Sequence, residues 1–225
     1  MNLVNPYRFA TGPNDPHFAS VVLLLHGDGT NGSTDIIDSS ALELTQTANT
    51  GVITSTTDPK FGTASLSCSG SNAVTFPAGS HWAFGNGDFT VEYWIKTSNT
   101  AGQIFGLRAY VQGAWNVILY NSRLYWQRFI TDGNLYSVSF SAYLGLWTHV
   151  AHVRSGTTHK MYINGIEVSS VTDSYNYNNS SNTLLVGGMS GGNGNFTGGL
   201  EIRVTKGVAR YTADFTPPTA AFPDS

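Results

Sequence analysis

Two glutamates raise the question of chemistry first: Glu92 in "DFTVEYWIK" and Glu201 in "LEIRVT". Hydrolysis of a glycosidic bond takes a pair of carboxylates on either side of the scissile bond. In a β protein that pair must lie at alternate positions of one strand or on one side of two neighbouring strands. The positions that share a face with Glu92 are Trp94 and Lys96, and those that share one with Glu201 are Arg203 and Thr205. Neither strand carries a second acid, so no catalysis is expected; Asp28, Glu92 and Glu201 are the acids to test first if turnover is ever found. The histidines form no site either. His149 and His152 are three apart in "WTHVAHV", which turns them to opposite faces and denies them a shared metal. His26 and Asp28 can face the same way, but without a nucleophile they make no triad.

Binding chemistry has more support. Asp28, Asn31, Asp35 and Asp38 crowd one loop, and calcium takes several oxygen ligands from such loops. A structural calcium is therefore a candidate, against the plainer reading that Asx side chains cap their own turns. For a sugar, aromatic rings cover the apolar face of a pyranose while amides fix its hydroxyls. Trp94, Trp115, Tyr120, Tyr125, Trp126 and Gln127 supply these types, and "DSYNYNNSSN", with Tyr175, supplies a loop of them. In "RLYWQRF" the adjacent rings must point to opposite faces, which puts one of Tyr125 and Trp126 outside the core. The same aromatics would equally suit a subunit interface.

These residues need strands to hold them. "DFTVEYWIK" alternates with period two, and "NVILY", "LYSVSF", "HKMYI", "TLLVGG" and "LEIRVT" read the same way, while no window of helical length has a good apolar stripe. In "KMYINGIEVSS", Asn164-Gly165 sits between two alternating runs and predicts a two-residue hairpin turn. Many short antiparallel strands predict an all-β fold, a two-sheet sandwich or jelly roll.

Composition narrows the rest. The chain has 225 residues, which a single all-β domain accommodates, and only 11% are charged, against roughly 25% in an ordinary soluble domain. Its formal charge is −3 with no basic tract, which argues against nucleic acid as a partner. Cys68 is alone, so no internal disulfide forms and folding in a reducing compartment is expected. The run "VVLLL" is far too short to cross a bilayer, and the start lacks the pattern of a signal peptide. Residues 1–19 read as an extended arm, broken by prolines yet carrying Leu3, Tyr7 and Phe9 as anchors for its own domain or a neighbouring subunit. Removing residues 1–16 is expected to leave a folded monomer.

The segments "LEIRVTKGVARYTADFTPP", "LLVGG", "NGNFTGG", "VVLLLHGDGTNGSTDIIDSS", "KFGTASLSCSGSNAVTFP" and "GDFTVEYWIK" with "WTHVAHVRSGTTHKMYINGIEV" together resemble a laminin-G-like, concanavalin A-like domain found in tailed-bacteriophage structural proteins. The resemblance covers roughly residues 20–218, leaving 219–225 as a tail. It implies a jelly roll whose first strand, Val21 to His26, lies beside its last, Leu200 to Thr205. It also implies a lid from Lys206 to Thr216 that crosses the sandwich edge. Tyr211 and Phe215 would cover core edges there, while Arg203 and Lys206 lay their stems on the sheet with their charges in water. The function it implies is a virion component, a head decoration or tail-associated subunit, assembled in the host cytoplasm as a homo-oligomer with other virion proteins and exposing a lectin-like surface for host polysaccharide. The alternative is a stand-alone carbohydrate-binding receptor-recognition domain.

Overall fold

A computed structural model describes residues 14–107, 111–128, 133–188 and 196–225. Its strands are β1 (Val21–Leu25), β2 (Ala48–Asn49), β3 (Ile53–Ser55), β4 (Ser65–Cys68) and β5 (Ala73–Phe76). Next come β6 (Phe89–Lys96), β7 (Gly102–Leu107), β8 (Trp115–Tyr120), β9 (Arg123–Arg128) and β10 (Asn134–Ser139). The last five are β11 (Thr148–Ser155), β12 (Thr158–Ile163), β13 (Ile166–Thr172), β14 (Leu184–Gly187) and β15 (Gly198–Lys206). They form two antiparallel sheets, ordered β13-β12-β11-β6-β15-β4-β3, with β1 also on β15, and β10-β9-β8-β7-β14-β5-β2. We call these the first and second sheets. The all-β jelly-roll sandwich expected from the alternation is the fold observed.

The first and last strands are neighbours, as the resemblance implied: Val21 faces Thr205 and Leu25 faces Ile202. β15 is long enough to serve three partners, with β6 on one side and β4 then β1 on the other. Asn164 and Gly165 take φ of 49° and 79°, and Ile163 pairs with Ile166, which is the two-residue turn the sequence predicts.

Inward-facing residues of both sheets make one core. Trp115 and Trp126, diagonal neighbours across β8 and β9, stack with centroids 5.1 Å apart, and Phe89 lies 5.4 Å from Trp126. Each such buried ring contributes on the order of 1.5–3 kcal/mol by leaving water. The first sheet is unusual in having its outer face buried too. β6 reads as buried at every position but Lys96, because the chain's closing segment lies over it. Phe222, with Phe18, Phe61 and Trp147, packs on Val21, Leu24 and Trp94, while Ala209, Tyr211 and Phe215 cover Ala151, Val153 and Tyr162. The lid therefore lies across the outer face of this sheet and not along an edge. Its seat is the hairpin turn. The Phe215 amide donates to the Gly165 carbonyl at 2.9 Å, and a Cβ on Gly165 would fall 1.8 Å from the Phe215 carbonyl oxygen.

Candidate functional site

The acids come together after all, but in a sealed place. In the β6/β15 ladder Glu92 faces Arg203 and Trp94 faces Glu201, so the two glutamates are diagonal neighbours on one face. Both are out of reach of water, at 0% and 2% exposure, and both are fully engaged. Glu92 accepts from Arg203 at 2.8 Å, from the Tyr211 hydroxyl at 2.8 Å and stands 3.2 Å from His149 Nε2. Arg203 and Arg210 also grip Asp15, at 3.1 and 2.7 Å. Glu201 meets His26 Nδ1 at 3.1 Å and the Phe222 amide at 3.2 Å. Burial alone would raise the Glu92 carboxyl, but the attraction of Arg203, followed by His149, holds it down to about 2. A carboxylate so acidic and so enclosed is a structural anion, neither proton donor nor nucleophile.

Several expectations are corrected by this arrangement. Arg203 is 5% exposed and ion-paired, with its guanidinium 4.3 Å from the Phe222 ring, so its charge does not stay in water. Lys206 remains near the surface and donates to the Ser80 carbonyl. His26 pairs with Glu201, while Asp28 accepts from Thr63 and Ala64. Asp15 belongs to the network, so a cut at residue 16 removes a buried carboxylate that two arginines share.

The remaining titratable groups fill the interior. His149 and His152 do face opposite ways: His149 meets Phe215 and Phe222 outside the sheet, while His152 lies between the sheets, 2.7 Å from the Tyr136 hydroxyl and 3.2 Å from that of Tyr93. Asp173 takes bonds from Tyr177 at 2.6 Å and Arg128 at 2.8 Å and lies 3.3 Å from His159, and Tyr177 in turn accepts from Trp126. Burial pushes His152 well below the usual imidazole range and raises Tyr136. This interior network was not foreseen; "DSYNYNN" looks like a surface loop, and its Asp173, Tyr175 and Tyr177 are all buried.

For calcium, three of the four candidate side chains are spent separately and the fourth, Asp35, stands exposed. Asp38 accepts from the amides of Leu24, Ser40 and Leu44, Asp28 from Thr63 and Ala64, and Asn31 from Thr56, while the Asp35 amide bonds to Ser33. Among the described residues no three His, Cys, Asp or Glu side chains gather as a metal group.

Of the aromatic set, Trp115 and Trp126 are core, Tyr175 is buried with its hydroxyl accepting from the Gly113 amide, and Trp94 lies beneath the Lys60 ammonium at 3.8 Å and the edge of Phe61. These four are buried within the folded chain. Tyr120 is exposed at the end of β8. Leu3, Tyr7 and Phe9 lie outside the described residues.

Tyr125 and Gln127 remain, on the outer face of the second sheet, since Trp126 between them points inward. Here the register assembles a row the sequence did not reveal. Asn134 of β10, Gln127 of β9 and Asn116 of β8 stand side by side, with Gly106 of β7 beyond them. The next row runs Ser137, Tyr125, Ile118 and Gln103. Gln127 Nε2 donates to Asn134 at 3.0 Å. Beneath them Asn116 Oδ1 and Gln103 Nε2 are buried without a hydrogen-bond partner. Gly106 has φ of 148°, and a Cβ there would come within 2.3 Å of Asn116 Oδ1, so only glycine lets that amide settle.

No curated protein matches the chain. Among solved structures with this fold are the receptor binding domain of a botulinum neurotoxin C/D mosaic serotype (TM-score 0.65, 16% identity, covering 85% of this chain and 49% of that one) and the serotype D binding domain (0.65, 15%, 87% and 50%). A serotype D ligand binding domain in complex with N-acetylneuraminic acid is also similar (0.63, 18%, 85% and 49%). The chain spans about half the length of these structures. They are toxin receptor-binding domains and not bacteriophage structural proteins, which overturns the virion reading together with its virion partners, homo-oligomer and assembly in the host cytoplasm. They are named for binding and none for a reaction, so the reading without catalysis stands. The family pattern of the concanavalin A-like lectin/glucanases superfamily matches residues 69–204, more than half of the sequence. The chain belongs to the concanavalin A-like lectin/glucanases superfamily.

Proposed function

We propose that this chain is a non-catalytic carbohydrate-recognition domain that reads a surface saccharide with the outer face of its second sheet. The observation that carries the reading is the amide row. Asn134, Gln127 and Asn116 bring both donors and acceptors beside the Tyr125 ring, and two amide atoms of Asn116 and Gln103 have no partner among the described residues. A buried amide group left unpaired costs roughly 1–3 kcal/mol, a cost that a ligand hydroxyl, or a water it holds, removes on binding. The ring of Tyr125 supplies the flat apolar surface against which a pyranose lies.

The recognition unit is the sandwich of residues 20–218, fastened by 219–225. A similar domain, the serotype D ligand binding domain, was solved in complex with N-acetylneuraminic acid, which makes glycans the first ligand class to test. The test is a glycan array probed with the native chain and with Tyr125→Ala and Gln127→Ala. Binding to a defined set of glycans, weakened about tenfold or more in each variant with the fold intact, is the expected result. Equal binding by the variants would end the proposal.

A further inference from the structure

The opposite side of the molecule holds a feature that this reading does not use. Where the closing segment stops short of covering the first sheet, the outer face opens into a groove of about 340 Å³. Its floor is made of small residues in register: Ser65 and Ser67 of β4 lie beside Gly199 of β15, which lies beside Lys96 of β6. Trp147 forms one wall. It lies so close over Gly199 that a Cβ there would come within 2.7 Å of the indole, so the glycine is what lets the ring settle onto the sheet. Asp58 forms the other wall, bonded to Lys96 at 2.5 Å, and the two side chains keep 52% and 36% of their surface in solvent.

The groove is not a chance gap between turns. Ser65 is 4% exposed, lines the groove, and its hydroxyl bonds to nothing else in the described chain. The Trp147 indole N–H is buried in the wall and leans toward Asp58 without the geometry of a full hydrogen bond. The lining thus combines serine hydroxyls that can donate or accept, one carboxylate, one ammonium and one indole. Neutral polyols and sugars match that set, because each hydroxyl needs a donor and an acceptor and the ring needs an apolar wall. A phosphate or other polyanion fits poorly beside Asp58, and an apolar ligand would leave the serine floor unpaired. The volume lies at the lower end of the roughly 300–1,000 Å³ of small-molecule sites, the size for a single ring.

We propose that this groove is a second saccharide site, independent of the second-sheet face, taking one neutral pyranose with its ring against Trp147 and its hydroxyls on Ser65, Asp58 and Lys96. Two sites on opposite sheets would let one chain hold two glycan branches, so that affinity for a branched or clustered glycan exceeds that of either site alone.

The experiment titrates the full chain with the methyl glycosides of glucose, galactose and mannose, following tryptophan fluorescence and backbone amide shifts. Trp147 is the only tryptophan in the chain that is not buried, so a fluorescence response reports the groove, and Trp147→Phe should abolish it. Shifts should cluster at 65–68, 96–99 and 197–199 for at least one glycoside. Ser65→Ala and Asp58→Asn should each weaken that binding about tenfold, while Tyr125→Ala leaves it unchanged. Both substitutions shrink or neutralise a side chain at the surface of the groove, and circular dichroism checks that they fold. Silence at these residues with all three glycosides, or shifts that both variants retain at full affinity, would overturn the proposal. Shifts confined to Tyr125 and Gln127 would also overturn it while leaving the proposed function standing. Shifts confined to the groove would support it and count against the second-sheet face.

Discussion

The outer faces of the two sheets bury different kinds of polar chemistry, an ion network on the first and neutral amides on the second. On the first sheet Glu92, Glu201, Arg203, Asp15 and Arg210 are charged groups drawn from three separate stretches of the chain, and each has a partner supplied by the closing segment, a neighbouring strand or residues just before β1, while the neutral Trp94 indole N–H among them has none within the described residues. On the second sheet Gln103 and Asn116 are neutral amides, and each keeps an atom unpaired. The difference teaches how to separate structure from function in a fold of this kind. A buried charge without a partner would not be tolerated, so a complete ion network reports stability; a buried amide without one is affordable, and where several share a face they mark a place prepared for a ligand.

The strongest way to break the contrast is to remove one member of the network. Arg203→Met leaves Glu92 and Asp15 short of their shared cation, and a loss of about 3–5 kcal/mol is expected, seen as a fall in Tm of roughly 10 °C. A melting curve within a degree or two of the native one would show that the network is not what fastens the closing segment.

Acid should reveal the same network. Because the Glu92 carboxyl is lowered from 4.5 to about 2 in the folded chain, the stability it contributes is fully present above pH 4.5 and is lost as pH falls from there toward 2. The loss from this group is on the order of 3 kcal/mol. Denaturant titrations across that window should show a steep acid limb in the native chain and a shallower one in Glu92→Gln. Equal slopes would remove Glu92 from the account.

A smaller effect separates the hairpin turn from the strap that rests on it. Gly165→Ala places a methyl group against the Phe215 carbonyl as well as straining a φ of 79°, whereas Gly156→Ala strains a φ of 58° in open space. The first should cost about 2–3 kcal/mol and the second about 1. Chemical denaturation of the two variants gives the difference directly, and equal costs would mean that the strap adds nothing at this turn.

How much of this was legible in the sequence depended on distance along the chain. The Asn164-Gly165 turn is specified by two adjacent residues, and the alternation of β6 by eight, so both were readable. The pairing of β1 with β15 came through the resemblance, since no local signal links Val21 to Thr205. Period two also divides Tyr125 from Trp126, but it cannot tell which faces are later covered. That is why Trp94, on the outward side of β6, reads as available although Lys60 and Phe61 close over it, and why Arg203 reads as wetted although Asp15 and Phe222 enclose it. The amide row was hidden for a related reason. Asn134, Gln127 and Asn116 come from three strands, and only the ladder register sets them side by side.

The smallest expected change in stability belongs to the open face. Tyr125→Ala should cost less than about 1 kcal/mol, because its half-buried ring lies outside the main core, and yet it should carry the largest loss of binding. The most direct measurement is amide-shift mapping of the native chain with a glycan that scores on the array, followed for a day for release of reducing ends. Shifts at the side-chain amides of Gln103, Asn116 and Gln127 with no product are the predicted result. Shifts that avoid all three amides, or steady release of reducing sugar, would contradict it.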